Sequence, residues 1–207
     1  MGMNTERKRT IGVLALQGDF EAHRKVLEGL NVRSLEVRTA KDLAQADALI
    51  LPGGESTTII KLLDRIGLDK VIQERFQAGM PVYGTCAGMI LLSRSVEGRP
   101  EQPTLGLLNA TVARNAFGRQ VDSFEANIPV RLGENEAESE VRGVFIRAPY
   151  LTEIGEGVDV LGRYQDKIVA VRQGALLATA FHPELTRDAT VHSYFVRMVA
   201  ASEEERG

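Results

Sequence analysis

Cys86 is the single cysteine among 207 residues, and it stands inside Gly84-Thr85-Cys86-Ala87-Gly88. An apolar run, Met80-Pro81-Val82-Tyr83, enters this segment, and a helix-like run, Met89-Ile90-Leu91-Leu92, leaves it. A Gly-x-nucleophile-x-Gly pattern between strand and helix is a nucleophile elbow, here carrying sulfur. The glycines are needed because so sharp a turn leaves no room for side chains beside the nucleophile. A helix start offers free N–H groups and a dipole that favour a thiolate. The corresponding chemistry is acyl transfer through a thioester. A lone cysteine is also commonly a small buried hydrophobe, so the pattern needs partners elsewhere in the chain.

A thiol nucleophile requires a base, and the base requires an orienting group. Three histidines are available: His23, His182 and His192. His23 lies in a first helical segment among charged residues and His192 in the last one, so both read as helix-surface residues. His182 follows the apolar run Ala175 to Phe181 and precedes Pro183-Glu184. In extended chain, residues two apart point the same way, which sets Glu184 beside the His182 ring. A histidine merely capped by a loop carboxylate is the plainer alternative. With Cys86 at another strand end, the set reads as a Cys86–His182–Glu184 triad. Pro52-Gly53-Gly54-Glu55-Ser56 lacks the lysine of a phosphate loop and is not a dinucleotide fingerprint. Its glycines let backbone N–H groups approach a ligand, and one near Gly54 can join the Ala87 N–H as an oxyanion hole. A plain turn capped by Ser56 is compatible with that role.

These residues must be carried by elements that bring them together. Strand-like runs are Thr10 to Leu16, Val32 to Val37 and Ala48 to Leu51, with the Cys86 strand fourth. Helical patterns lie between them at Asp19 to Leu30, with Asp19 as N-cap, at Thr57 to Ile66, and at Leu68 to Ala78. The alternation predicts an α/β fold: a three-layer open, mostly parallel sheet with helices on both faces, flavodoxin-like in layout. From about residue 105 strands predominate, so additional strands are expected in the C-terminal half before a last helix from Ala189 to Ala200. Ligands bind beyond the carboxyl ends of parallel strands. Gln17-Gly18, the Gly53-Gly54 loop and Cys86 therefore share one rim. Glu97 to Pro103 and the acidic run Glu134 to Glu140 read as solvated loops.

The length suits a single domain, expected over residues 10–202 behind a frayed, polar extension at 1–9. A net charge of −3 without a basic run argues against nucleic acid. No stretch reaches membrane-spanning length, and one cysteine cannot make an internal disulfide, which suits a reducing, cytoplasmic setting. The scattered histidines give no metal-ligand spacing, and no cofactor is expected.

Six segments then resemble one family nearly from end to end. They are Gly12 to Gly18, Leu51 to Thr58, Gly84 to Gly88, Arg114 to Glu125, Val144 to Pro149 and Phe181 to Thr186. The family is the glutaminase subunits of two-component pyridoxal 5′-phosphate synthases, within the triad (class I) glutamine amidotransferases. The elbow and His-Pro-Glu are shared across the class; Gly-Gly-Glu-Ser-Thr-Thr, Arg-Asn-x-Phe-Gly-Arg-Gln and Phe-Ile-Arg-Ala-Pro belong to the subfamily. The resemblance implies hydrolysis of L-glutamine to glutamate and ammonia. It also implies transfer of the ammonia to a separate barrel-type synthase subunit. It implies Cys86, His182 and Glu184 as triad, and a glutamine site lined by Gly54, Glu55, Ser56, Arg114, Ile146 and Arg147. Arg114 or Arg147 supplies the cation for the α-carboxylate, the alternative being surface arginines. Glu55 and Ser56 are candidates for the α-amino group or the amide. Docking of the partner is expected to set the oxyanion hole, through a peptide flip at Gly53-Gly54, and Gln17-Gly18 lies on the same rim. The rivals are an amidase of the same fold acting on γ-glutamyl peptides or serving a different synthase, and a binding module with an idle site.

Overall fold

A computed structural model describes residues 9–114, 123–133 and 137–204. The N-terminal extension through residue 8, most of the Arg-Asn-x-Phe-Gly-Arg-Gln segment and the first three residues of the acidic run lie outside the described residues.

The first half alternates as its sequence does. Strand β1 (Thr10–Leu14) is followed by helix α1 (Phe20–Gly29), β2 (Arg33–Val37), α2 (Ala40–Leu43), β3 (Ala48–Leu51), α3 (Ser56–Ile66), α4 (Leu68–Gln77), β4 (Val82–Thr85) and α5 (Ala87–Leu92). Then come β5 (Ser93–Val96), β6 (Leu108–Ala113), β7 (Ser123–Val130), β8 (Ser139–Ile146), β9 (Tyr150–Ile154), β10 (Asp159–Tyr164), β11 (Lys167–Gln173) and β12 (Leu176–Thr179). A 3₁₀ turn at Pro183–Leu185 leads to α6 (Thr190–Glu204).

Strands β2, β1, β3, β4 and β12 lie side by side and all run parallel. Every residue of β3, β4 and β12 is buried, so both faces of this central part are covered. Burying each Leu or Ile of Ala48–Leu51 contributes about 1.5–3 kcal/mol, which explains why so short a run holds the centre. Beyond β12 the sheet turns antiparallel through β11, β10, β7 and β8, with β5, β6 and β9 on a side branch. Apart from β5 and β9, which the sequence does not announce, these are the additional strands expected of the C-terminal half.

Three details differ from the sequence reading. Glu55, not Ser56, caps α3, accepting hydrogen bonds from the Thr57 and Thr58 amides. Asp19 precedes α1 without a side-chain capping bond. Ser139 and Glu140 of the acidic run are exposed but belong to β8, paired with Val130 and Pro129.

The antiparallel half aims one rim residue directly. Phe124 of β7 stacks on Phe145 of β8 at 4.6 Å, and Phe145 packs on Phe181 at 5.5 Å. The amide of the next residue, His182, donates to Val144 O at 2.8 Å. Packing of one aromatic column thus fixes where the chain leaves β12.

Candidate active site

The site grows from four strand ends. Because β1, β3, β4 and β12 are mutually parallel, their carboxyl ends share one rim. The residues that follow them are Gln17-Gly18, Gly53-Gly54, Cys86 and His182. Contacts confirm the convergence: Gln17 Oε1 accepts from the Glu55 amide at 2.7 Å, and the Asp19 amide donates to Gly53 O at 3.4 Å.

Cys86 takes φ 48° and ψ −103°. Such a conformation costs a non-glycine residue about 1–3 kcal/mol and persists only where its surroundings over-determine it. Here its amide is tied to Thr179 O at 2.8 Å, and its carbonyl accepts from the Ile90 amide at 3.3 Å. The glycines on either side work by close approach. A Cβ on Gly84 would press on the Gly88 backbone at 2.6 Å, and one on Gly88 would run into Leu51 O. The turn from β4 into α5 can therefore pack against β3 only with glycine at both places. Cys86 is 7% exposed, and its Sγ lies 3.9 Å from Ile146 O.

His182 Nδ1 is 2.7 Å from Glu184 Oε1, which leaves Nε2 as the other ring nitrogen. The pairing predicted from extended-chain alternation is present, but the route differs: Pro183–Leu185 form a 3₁₀ turn. Burial acts to depress His182. Hydrogen bonding to Cys86, together with the hydrogen bond and charge of Glu184, outweighs it and raises the imidazole from 6.5 to about 10. Burial acts to raise the Glu184 carboxyl, and its interactions with His23 and His182, hydrogen bonds from both rings among them, overcome it and hold it below the usual carboxylate range. The Gly53 Cα hydrogens face this ring, since a Cβ there would collide with His182 Cε1.

The remaining candidates fall at the mouth of the same rim. Glu55 Oε1 lies 3.2 Å from an Arg114 guanidinium nitrogen, and Arg114 also donates to Gln102 Oε1 at 2.8 Å. Gln102 thus ties the loop from Glu97 to Pro103 to the site. Burial pushes Glu55 up, but hydrogen bonds from Thr57 and Thr58 bring it down to about 2. Ser56 Oγ is buried and has no hydrogen-bond partner among the described residues. Arg147 is exposed at φ 43°, directly after Ile146, whose carbonyl faces the thiol. Gly54 holds φ 155°, with Gln17 Oε1 against its Cα. Ala87 opens α5 immediately after the thiol.

Two residues were misread. His23 and His192 are not on helix surfaces; both are fully buried. His23 Nε2 lies 3.3 Å from Glu184 Oε1 and 3.1 Å from Thr85 Oγ1, and His23 Nδ1 lies 2.9 Å from His192 Nε2. Tyr83 packs edge-on against both rings. Helical spacing held the signal: Phe20, His23 and Leu27 recur at the period of an inward face, as do His192, Phe195 and Val199.

Fold and site together define a class: an open α/β sheet with a buried thiol, an imidazole and a carboxylate gathered at its carboxyl rim. Residues 13–201 match the SNO glutamine amidotransferase family. The chain belongs to that family. It is 55% identical over 191 residues to the pyridoxal 5′-phosphate synthase subunit PdxT of Moorella thermoacetica, covering 91% of this chain and 98% of the relative. The subunit PdxT of Thermus thermophilus is 52% identical over 189 residues, covering 91% and 96%. A crystal structure of a glutamine amidotransferase superposes with a TM-score of 0.86 at 49% identity, covering 92% of this chain and 98% of that one. A Thermotoga maritima glutamine amidotransferase, 14% identical, shares the fold with a TM-score of 0.63, covering 97% and 84%.

Proposed function

We propose that this chain hydrolyses L-glutamine to L-glutamate and ammonia, and that the ammonia passes to a separate, barrel-type synthase subunit that makes pyridoxal 5′-phosphate. The observation that carries the chemistry is the rim cluster: a thiol on a strained elbow, an imidazole beside it and a buried carboxylate 2.7 Å from that imidazole. The synthase assignment rests on relatives above 50% identity that bear that subunit's name.

In this mechanism the Cys86 sulfur attacks the δ-carbonyl carbon of glutamine, forming a C–S bond and an oxyanion. Backbone N–H groups at Gly54 and Ala87 receive the oxyanion. His182 gives its proton to the departing nitrogen, the C–N bond breaks, and ammonia leaves a glutamyl thioester. His182 then takes a proton from water, hydroxide adds to the thioester, and the C–S bond breaks to release glutamate. Glu184 keeps the Nδ1 proton of His182 on its own side and stabilises the imidazolium. Arg114 or Arg147 binds the α-carboxylate in bidentate fashion. The ionised Glu55 beside Arg114 complements the α-ammonium, and the unpaired Ser56 Oγ offers a further polar contact. Ile146 contributes through its carbonyl.

One cysteine, unable to form an internal disulfide, suits a reducing cytoplasm, and no described helix is long and apolar enough to cross a membrane.

The test is to co-purify the chain with a candidate synthase subunit and follow both ammonia and the absorbance of pyridoxal 5′-phosphate, with glutamine and with γ-glutamyl dipeptides. Ammonia and product from glutamine alone are expected. Cleavage of the dipeptides with no product would replace this reading by that of a γ-glutamyl hydrolase.

A further inference from the structure

Behind the triad, the mechanism leaves His23 and His192 unused. The groups facing His23 are Glu184 at the 3₁₀ turn, His192 on α6, and Thr85 and Tyr83 on β4; Asp188 lies before α6 and acts on His192, and His182 and Cys86 lie beyond Glu184.

An ionised carboxylate only accepts hydrogen bonds. Glu184 Oε2 is buried without a hydrogen-bond partner among the described residues, so Oε1 faces both His182 Nδ1 and His23 Nε2. A bare His23 Nε2 would set its lone pair against those of Oε1 in a site without solvent. A protonated Nε2 instead shares its hydrogen between Glu184 Oε1 and Thr85 Oγ1. The other ring nitrogen decides how this is fixed. One proton lies between His23 Nδ1 and His192 Nε2, which are 2.9 Å apart. Burial, reinforced by His23, lowers His192 to about 3 against the pull of Glu184 and Asp188, so His192 is neutral. Its Nδ1 is buried with no partner among the described residues. An N–H there would be an unsatisfied donor, whereas a bare nitrogen places the His192 proton on Nε2, pointing at His23.

We propose that His23 is a positioning residue for the triad: with its tautomer fixed by His192, it directs an N–H at Glu184 Oε1 and so holds the carboxylate that orients His182. The proposal rests on the glutaminase reading for its effect on rate, but the hydrogen bond itself does not depend on the substrate.

Nitrogen-15 spectra of the histidine rings in the full-length wild-type protein test the bond directly. A proton on His23 Nε2 is expected; a His23 protonated on Nδ1 alone overturns the proposal. His23→Leu and His23→Gln then test the consequence, in complex with the synthase subunit. In His23→Leu, kcat should fall by about tenfold to a hundredfold at constant KM for glutamine, as expected when a catalytic group is misplaced by about 1 Å. A loosened Glu184 supports the imidazolium less, so the rise of Cys86 alkylation by iodoacetamide should move to higher pH. His23→Gln, which retains an N–H donor, should recover most of both. Loss of stability with wild-type kcat and alkylation profile would reduce His23 to a packing residue and overturn the proposal. If His23→Leu does not fold, the ring spectra of the wild type decide. If wild-type complex released no ammonia from glutamine, the glutaminase reading would fail, while the spectra would still decide the bond to Glu184.

Discussion

Cys86 and His182 couple two costs that neither could bear alone. The thiol sits in a backbone conformation that disfavours any side chain, and the imidazole is buried where a charge is disfavoured. Each is compensated by its neighbours: Thr179 O and the Ile90 amide for the elbow, Glu184 for the ring. Cys86→Ala keeps all the backbone bonds and should fold normally. Ammonia release by that variant should drop to background, since removing a triad nucleophile costs about 10⁶-fold in comparable enzymes; retained activity would overturn the assignment of nucleophile. His182 carries a pH signature as well. Its folded value of about 10 lies above the ordinary 6.5, so its ionic contribution to stability is complete below about pH 6.5 and is lost as pH rises through about 10. The stability gap between wild type and His182→Gln in urea titrations should therefore shrink over that window. The meeting of Cys86, His182 and Glu184 at one rim was legible from residue types and position, because a cysteine between two glycines at a strand-to-helix junction and a histidine two residues before a carboxylate are both local patterns. The cap at Glu55 was not, because a carboxylate two residues before Thr57 competes with Ser56 for the same amides and spacing does not rank them.

A strand end is only as well placed as the element packed behind it. Gly88 of α5 lies against the Leu51 backbone of β3, and that contact locks the elbow to the sheet. Gly88→Ala must push the two apart, at about 1–3 kcal/mol for overpacking of this kind. The melting temperature should fall by several degrees, and activity should fall with it because Cys86 moves. An unchanged melting temperature would show that the elbow has slack. The parallel strands and helices α1, α3 and α4 were readable from alternating patterns, and β3 was predicted with the bounds it has; the single turn α2, held by the Thr39–Asp42 capping box, was not. Strands β5 and β9 were not read, since β5 follows α5 with no breaker between Leu92 and Ser93 and exists through its pairing with β6. His23 and His192 stand among charged or polar neighbours in sequence, which masks the helical period that turns them inward. Their polarity is tolerated inside because they hydrogen-bond one another and Thr85, which a single segment cannot reveal.

Across the molecule, the rim carries an arginine, a carboxylate and a diglycine at its mouth. A glutaminase that ran alone would waste its substrate, so the last oxyanion donor is expected to be set by docking of the synthase subunit. One such donor is worth about 10²–10³ in kcat, and glutaminase rates with and without the partner should differ on that order; equal rates would dismiss gating through the Gly53-Gly54 peptide. The elbow, the histidine–carboxylate pair, the alternating α/β order and the family resemblance were all written in local patterns of residues. Those patterns suffice because backbone sterics and hydrophobic period act over a few residues at a time. What waited for the folded chain was every relation between distant segments: the Arg114 pairing with Glu55, the aromatic column that aims His182, and the line from His192 through His23 to Glu184. Those depend on side chains from separate elements meeting in a dry interior, where a hydrogen bond exists only if both partners arrive.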